Sequence, residues 1–311
     1  LEEFAPDFDE DSSNRFENQY SNHLVNLAIR TSQKKYNYNI GVDFEPQKSV
    51  SHSLLSDAPE DQLERSVMNF SPTVNFRYKF SKRTRLQIVY RGKGKQPNIR
   101  DLQPVTDRTN PLNIRVGNPS LKPSYMNTFT LNFNSYNTKY QRNMVATALF
   151  ENTINNVTNQ VTYDSETGGR TTIPVNMNGN WEAQGSFSLS TPFKNKNWLV
   201  RTYSQLRFSN KNGYTTLNKE EPQKSSVRHL TVRERLNLTY RTKQIEMGAW
   251  GSVVYNNSYN NVKSIRTETF NYQAGMNVQC YLPWGFEVYS DAVWNLRSGY
   301  GQNEGNDYLM W

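Results

Sequence analysis

The chain has 311 residues, of which 35% are hydrophobic and 13% aromatic, and its formal net charge is +8. The hydrophobic fraction is too low for an ordinary soluble core, because soluble domains contain roughly 45–50% apolar residues. No segment approaches the ~18 consecutive apolar residues of a transmembrane helix, and the single cysteine, Cys280, excludes a disulfide within the chain. The fold must therefore depend on how the apolar residues are patterned.

Apolar and polar side chains alternate along most of the chain. The first clear instance spans residues 36–44 and the second spans residues 74–80. Successive side chains of a strand point to opposite faces, so each segment has one apolar and one polar face.

We predict twelve such strands, most of them long enough to supply the ~9–11 residues with which a tilted strand crosses a bilayer. They lie at residues 17–31, 36–50, 66–80, 85–92, 125–135, 143–155, 173–191, 198–210, 227–241, 245–256, 266–282 and 286–297. A thirteenth strand begins at residues 308–311.

The links between these strands alternate in length. The short links are 32–35, 81–84, 136–142, 192–197, 242–244 and 283–285. The long polar links are 51–65, 93–124, 156–172, 211–226, 257–265 and 298–307. Outer-membrane barrels have short periplasmic turns and longer external loops. The pattern predicts an all-β fold, a transmembrane antiparallel up-and-down β-barrel.

Aromatic residues on the apolar faces cluster near the two ends of the strands. Those beside short links are Tyr36, Phe80, Trp198, Tyr240 and Phe286. Those toward the opposite ends are Phe44, Phe70, Tyr90, Phe208, Tyr255 and Phe270. Two aromatic belts are typical of the two interfaces of a membrane barrel.

The polar faces supply candidate substrate contacts inside the barrel. These are Arg77, Arg85, Gln87, Arg91, Glu182, Gln184, Arg201, Arg207, Arg233, Glu246 and Asp291. One residue breaks the pattern, because Glu234 falls on the apolar face between Val232 and Leu236. We expect a bulge at Glu234, a local partner, or a position near the membrane interface.

A basic patch in the 93–124 link provides candidate contacts at the external mouth. It contains Lys93, Lys95, Arg100 and Arg108. Three interpretations stay open: the patch attracts an anionic substrate, anchors acidic lipid headgroups or sugars, or is simply solvated. The remaining Lys and Arg residues are scattered over turns and polar faces, so nucleic-acid binding is not expected.

Enzymatic and metal-binding motifs are sparse, and we expect neither catalysis nor a cofactor. His23, His52 and His229 are far apart and lack metal-binding spacing, although Ser225 and Ser226 lie close to His229. The acidic residues Asp7, Asp9 and Asp11 form a weak calcium candidate, for which a solvated loop is the better interpretation.

The segment from Arg91 to Phe133 carries a recognisable motif. Asn110-Pro111 is followed by Gly117-Asn118-Pro119, then by Leu121 and Pro123. This segment resembles the "NP…GNP.L.P" loop of TonB-dependent receptors, most closely the Bacteroidota-type outer-membrane β-barrel family. The resemblance implies a plugged barrel of about 22 strands and nutrient uptake driven by the TonB machinery through an N-terminal region.

These observations together predict that residues 1–311 are a single barrel segment of about twelve strands, truncated at both ends and without a plug. The expected function is TonB-dependent uptake of an unidentified nutrient across the outer membrane of a Gram-negative bacterium. Expected partners are outer-membrane lipid, the TonB machinery and, as a further candidate, a surface lipoprotein. The alternatives are a passive porin or barrel scaffold without TonB coupling, and a soluble secreted all-β glycan-binding module.

Overall fold

The computed structural model describes residues 16–54, 62–217, 221–262, 264–300 and 308–310, and this part of the chain is almost entirely β-structure. Its strands are β1 (Phe16–Asn22), β2 (Val25–Ser32), β3 (Tyr36–Ser53), β4 (Gln62–Lys79), β5 (Thr84–Lys95), β6 (Thr106–Asp107), β7 (Asn113–Val116), β8 (Ser124–Asn137), β9 (Arg142–Ile154), β10 (Asn156–Tyr163), β11 (Arg170–Met177), β12 (Asn180–Pro192), β13 (Trp198–Leu217), β14 (Gln223–Arg241), β15 (Ile245–Asn260), β16 (Ile265–Tyr281), β17 (Glu287–Ser298) and β18 (Tyr308–Met310).

Helical structure in the described residues is limited to a four-residue helix, α1 (Ile99–Leu102), and a 3₁₀ turn at Pro283–Gly285. Neither element is long and apolar enough to cross a membrane.

The long strands form one continuous wall in which each strand pairs antiparallel with its neighbours. The order across the wall is β1 and β2 together, then β3, β4, β5, β8, β9, β12, β13, β14, β15, β16, β17 and β18. The all-β, up-and-down prediction is confirmed. Within the described residues, β18 does not pair with β1 or β2, so the sheet is open rather than closed.

The strand predicted at 17–31 is interrupted at His23 and Leu24. The pairing of β1 with β3 and of β2 with β3 continues in the same register across this gap. Pro46 lies opposite the gap, and its carbonyl accepts a hydrogen bond from His23 N (3.2 Å). Because proline has no N–H to donate in return, the ladder loses one bond there and the strand divides.

The link predicted at 156–172 is instead the extension of a hairpin. β10 pairs with β11 in the register that β9 and β12 already share, and the predicted strand 173–191 divides into β11 and β12. The break falls at Asn155 (φ 51°) and Gly179 (φ 94°), where the backbone takes left-handed conformations that the ladder does not tolerate.

Beyond that break the hairpin changes its neighbours. In the wall, β9 lies beside β8 and β12 lies beside β13. Past the break, β10 pairs parallel with β13, whereas β11 pairs parallel with β7. The two strands of the hairpin therefore exchange sides, as a strongly twisted two-stranded ribbon does.

The apolar face of the wall is exposed across its whole width. Leu131 (38%) and Phe187 (37%) have large exposed fractions near the middle of their strands, and Leu206 (53%) and Leu236 (55%) are more exposed still. In a water-soluble protein such a face would be covered by other apolar groups, because removal of apolar surface from water stabilises the fold. It is stable where hydrocarbon is the solvent.

Buried apolar side chains lie elsewhere. Among the described residues they are Ile99, Leu102, Leu121 and Met177, which belong to α1, the segment before β8, and β11. The wall itself contains no buried apolar core of its own in the described region, which is what a single sheet between lipid and an aqueous lumen requires.

Aromatic rings mark both edges of the apolar face, as predicted. At the end distant from the short turns, rings of Tyr90, Phe129, Phe150, Trp181 and Phe208 follow one another with centroid separations of 4.7, 6.4, 6.4 and 5.1 Å. We call this row, with the pairs Phe44–Phe70 (5.1 Å) and Tyr255–Phe270 (4.8 Å), the outer aromatic belt. Trp198 and Tyr240 pair at the opposite edge (4.8 Å).

Glu234 has a local partner and no bulge. The pairing of β14 with β13 and with β15 runs through Glu234 without a change of register. The Ser204 hydroxyl, directly across the ladder, donates to Glu234 Oε2 (2.7 Å). One hydrogen bond thus supports a carboxylate on the apolar face, where Asp and Glu cost less than Arg or Lys.

The two faces of β12 predict opposite outcomes for the same substitution. Phe187→Arg places a cation on the apolar face midway between the belts and should destabilise the protein in bilayers by ~2–4 kcal/mol. The neighbouring Ser188→Arg points to the polar face and should change stability by less than about 1 kcal/mol. Denaturant unfolding in lipid vesicles measures both, and equal destabilisation would contradict the assignment of faces.

Candidate functional site

The polar face gathers all of the predicted interior contacts on one side of the wall. Cross-strand register places every one of these residues on the face opposite Leu131 and Phe187. They are Arg77, Arg85, Gln87, Arg91, Glu182, Gln184, Arg201, Arg207, Arg233, Glu246 and Asp291. The alternation in the sequence was sufficient to identify this face.

Two of these residues form an ion pair. Arg207 Nε donates to Glu182 Oε1 (2.8 Å) and a terminal nitrogen of the same guanidinium donates to Glu182 Oε2 (2.7 Å). This two-point geometry fixes the planes of both groups, although partly exposed pairs contribute only modestly to stability. Alternation in the sequence predicts that both residues lie on the polar face, but their pairing becomes visible only in the structure.

A second two-point pair joins Glu246 to Arg241, with distances of 2.7 and 2.8 Å. Arg241 ends β14 and Glu246 lies directly opposite it in β15. Arg241 thus holds the Glu246 carboxylate at the short-turn end of the wall.

Most of the other cations on the polar face are not engaged in ion pairs with described residues. Arg85, Arg91 and Arg233 lack a carboxylate partner within the described part of the chain, whereas Arg201 interacts electrostatically with the Glu246 carboxylate. Arg77 Nε is buried without a hydrogen-bond partner among these residues. The face therefore presents an excess of unpaired positive charge to whatever occupies the lumen.

Trp250 is an aromatic residue on this face that the sequence analysis did not include among the candidates. The guanidinium of Arg235 lies 4.1 Å from the centre of the Trp250 ring, a cation–π contact. Gly275, directly opposite Trp250 in β16, leaves the space that the indole occupies, since a Cβ there would collide with the ring. The pairing of a glycine with a tryptophan on adjacent strands was the sequence signal from which this inward-facing indole could have been predicted.

The segment between β5 and β8 folds into a compact unit, which we call the mouth cap (residues 96–122). It contains α1, β6 and β7. On one side it contacts the wall, where Gln103 Nε2 donates to Ser51 Oγ (2.9 Å) and Gln96 Nε2 donates to Asn69 Oδ1 (3.1 Å). Ser51 and Asn69 belong to the polar face, so the cap folds inward over the lumen side.

The mouth cap is tied to the β10–β11 hairpin on its other side. Asn118 Nδ2 donates to the carbonyl of Pro174 (2.9 Å), and Asn176 exchanges two hydrogen bonds with Lys122 (2.7 and 2.8 Å). Strands β7 and β11 pair through three residues. A long link that looked irregular in sequence is thus held at both sides.

The motif residues have definite physical roles in this unit. A side chain at Gly117 would overlap the carbonyl oxygen of Gln103. Asn118 accepts from Ser120 N through its side chain (3.0 Å) and donates its own N–H to the carbonyl of Asp101 (2.6 Å). Leu121 is only 2% exposed. The motif therefore encodes the turn that returns the chain to the wall.

The four external candidates lie on or beside the mouth cap and are exposed. Lys93 and Lys95 are in β5, Arg100 is in α1 and Arg108 follows β6. Arg100 approaches the carboxylate of Asp107 at 3.7 Å. Hydrogen bonds from the side chain and amide of Thr109 lower the pKa of Asp107, and the nearby guanidinium groups act in the same direction. Arg100 is therefore the least free cation of the four.

A cavity of about 250 Å³ opens between α1 and the outer ends of β1, β3 and β4. Its lining includes the polar residues Tyr20, Ser49, Arg65 and Gln96 beside the apolar Ile99. The cavity lies where the cap meets the wall, and its volume can accommodate part of a solute.

Among the described residues, Ser226 and His229 bond to other side chains rather than to each other. Ser226 Oγ donates to Asn212 Oδ1 (2.7 Å), whereas the His229 ring is hydrogen-bonded to the Thr231 hydroxyl (3.1 Å). Asp7, Asp9 and Asp11 lie outside the described residues. Within the described ranges, no group of three His, Cys, Asp or Glu residues is arranged to hold a metal ion.

Gly117→Ala tests the mouth cap directly. The added methyl group must push against the Gln103 carbonyl, which should cost about 1–3 kcal/mol of local stability and loosen the cap. The expected result is faster proteolysis within residues 96–122 and unchanged unfolding of the wall. Gly251→Ala is the matched control, because a Cβ at Gly251 meets open space. Equal protease sensitivity of both variants would contradict the packing described.

A comparison with family models identifies one match, the Outer membrane protein beta-barrel family, over residues 2–287. No curated protein and no solved structure matches the chain. The family assignment agrees with the exposed apolar face and the two aromatic belts, and it excludes the soluble secreted module expected as an alternative. The chain belongs to the Outer membrane protein beta-barrel family and is a protein of the outer membrane of a Gram-negative bacterium.

Proposed function

We propose that this chain forms part of the barrel of a TonB-dependent receptor that imports a nutrient across the outer membrane. The single observation that carries the proposal is the mouth cap, a folded unit bound to the polar face at the end distant from the short turns. A wall that only anchors a protein in lipid has no need of a structured, polar, inward-folded entrance.

The open sheet supports a wide barrel. The wall described above comprises twelve full-length strands and the short β18, and its two edges do not pair with each other within the described residues. Eight strands suffice for a barrel filled by its own side chains. Edges must be paired in hydrocarbon, because unpaired backbone groups there cost several kcal/mol each. Closure with additional strands, to about 22 in total, gives a lumen large enough for a plug.

The charge on the polar face supports transport of a polar solute. Arg85, Arg91 and Arg233 lack carboxylate partners among described residues, so they are available to a solute or to a plug. In the proposed mechanism, the mouth cap and external loops capture the nutrient. The TonB machinery then displaces the plug, and the nutrient passes along the polar face. A surface lipoprotein covering the mouth is the further partner proposed.

The passive porin or scaffold is the competing function, and energy coupling separates the two. We expect a strain lacking the gene to lose growth on one nutrient of a defined panel when that nutrient is scarce. Uptake by the wild type should stop when a protonophore collapses the proton motive force. Uptake that survives the protonophore would favour a porin, and normal growth of the deletion strain on every nutrient would contradict transport.

The external cations generate a separate prediction for an anionic nutrient. Changing Lys93, Lys95, Arg100 and Arg108 together to Gln should lower the initial uptake rate by about tenfold at low salt, because it removes the attractive field at the mouth. The difference should shrink above 0.3 M salt, roughly where screening becomes strong.

The control carries Lys82→Gln and Lys243→Gln, which remove cations from two short turns at the opposite end of the wall. This control should transport normally. An unchanged rate in the fourfold variant would contradict attraction of an anionic nutrient by these four residues and leave the other two interpretations of the patch.

A further inference from the structure

A short row of two arginines with a tyrosine between them lies on the outside of the wall, away from the lumen. Register pairs Arg228 of β14 with Tyr259 of β15, and Tyr259 with Arg266 of β16. All three share the face of Leu230 and Val232, which is the apolar face. Directly paired residues have Cβ atoms ~4.5–5.5 Å apart, so the two arginines flank one tyrosine within ~10 Å of each other.

This row lies just beyond the outer aromatic belt. Tyr259 follows the belt residue Tyr255 by four positions on the same strand, which is ~13 Å along a tilted strand. Arg228 is only two positions beyond Leu230, which lies opposite the belt residue Phe208. The interfacial layer of a bilayer adds ~5–7 Å on each side of the hydrocarbon, and arginine extends its charged end across such distances.

The arginines of this row are free of ion pairs within the described region. Arg228 and Arg266 are exposed, and neither takes part in a salt bridge with a described residue. Lys48 also faces outward beyond the belt, but Glu64 neutralises it (2.6 Å). Unpaired outward cations of this kind are therefore concentrated on β14 and β16.

On the described parts of β14, β15 and β16, one carboxylate lies near the row on this face. Glu268 is two positions from Arg266 on the same face, and its Oε1 accepts from Asn257 Nδ2 (2.9 Å). Lys224, four positions beyond Arg228 on that face, adds a third cation. Counting Lys224, Arg228, Arg266 and Glu268, the surface retains net positive charge.

We propose that Arg228, Tyr259 and Arg266 form a binding site for the phosphate-bearing headgroup of an outer-leaflet lipid. Each guanidinium offers two parallel N–H donors that match a phosphate group, and the tyrosine hydroxyl between them can donate a third bond. The aromatic and aliphatic residues below the row accommodate the acyl chains of the same lipid. This site does not depend on the transport proposal, since a porin would present it equally.

The test measures lipid binding by the full protein in detergent, using native mass spectrometry with diphosphoryl lipid A as the probe. Wild-type protein should retain lipid A and should bind its dephosphorylated form at least tenfold more weakly. Inorganic phosphate alone should not saturate the proposed site. The variant Arg228→Gln/Arg266→Gln should lose at least tenfold in affinity for lipid A. Arg228→Lys/Arg266→Lys keeps the charge without the planar fork and should lie between the two.

The matched control is Lys139→Gln/Arg142→Gln, which removes two exposed cations at a short turn on the opposite rim. It should bind lipid A like wild type. Heat-modifiable migration on gels confirms that each variant is folded. Equal affinity of the Gln variant and wild type, or equal binding of lipid A with and without phosphate, would overturn the proposal. Should the Gln variant not fold, the comparison of the two lipids on wild-type protein decides the question.

Discussion

The structure depends on one constraint, which is that backbone N–H and C=O groups inside a bilayer must bond to one another. The wall meets this constraint by continuous antiparallel ladders, and its registers run without a slip through the length of each strand pair. An uninterrupted register keeps every side chain on its own face. The apolar and polar faces, the belts and the lumen all follow from that regularity, since a one-residue slip would reverse the faces of a strand.

Irregular backbone is confined to places where water or protein can satisfy it. The exchange of sides by β10 and β11 and the mouth cap both lie beyond the outer aromatic belt. There, asparagine side chains substitute for ladder bonds: Asn176 bonds to the carbonyls of Lys122 and Asn155, and Asn118 bonds to that of Pro174. The abundance of asparagine in the long links thus has a structural reason, because a carboxamide both donates and accepts.

The wall was predictable from sequence because alternation with a period of two is a local signal. The faces of Phe187 and Arg207, the positions of the short turns and the belts followed from it. The interior of the long links was not predictable, because the neighbours of β10, β11 and the mouth cap are set largely by pairings between residues more than fifty positions apart. Examples are Arg170 with Asn113 and Lys122 with Asn176. The division of the first strand was only partly predictable. Pro46 is evident in the sequence, but the register is needed to show that it lies opposite His23. The Arg207–Glu182 and Arg241–Glu246 pairs likewise require the register before they can be inferred.

One face of this wall contacts acyl chains and the other contacts water. Accessibility of single cysteines in vesicles measures this most directly, at Leu131 and Phe187 on one face and at Thr130 and Ser188 on the other, in a Cys280→Ala background. We expect that a label at 131 or 187 is quenched by lipid-soluble agents, whereas cysteines at 130 and 188 react with a charged, water-soluble thiol reagent. Reaction of all four cysteines with the charged reagent, or of none, would contradict it.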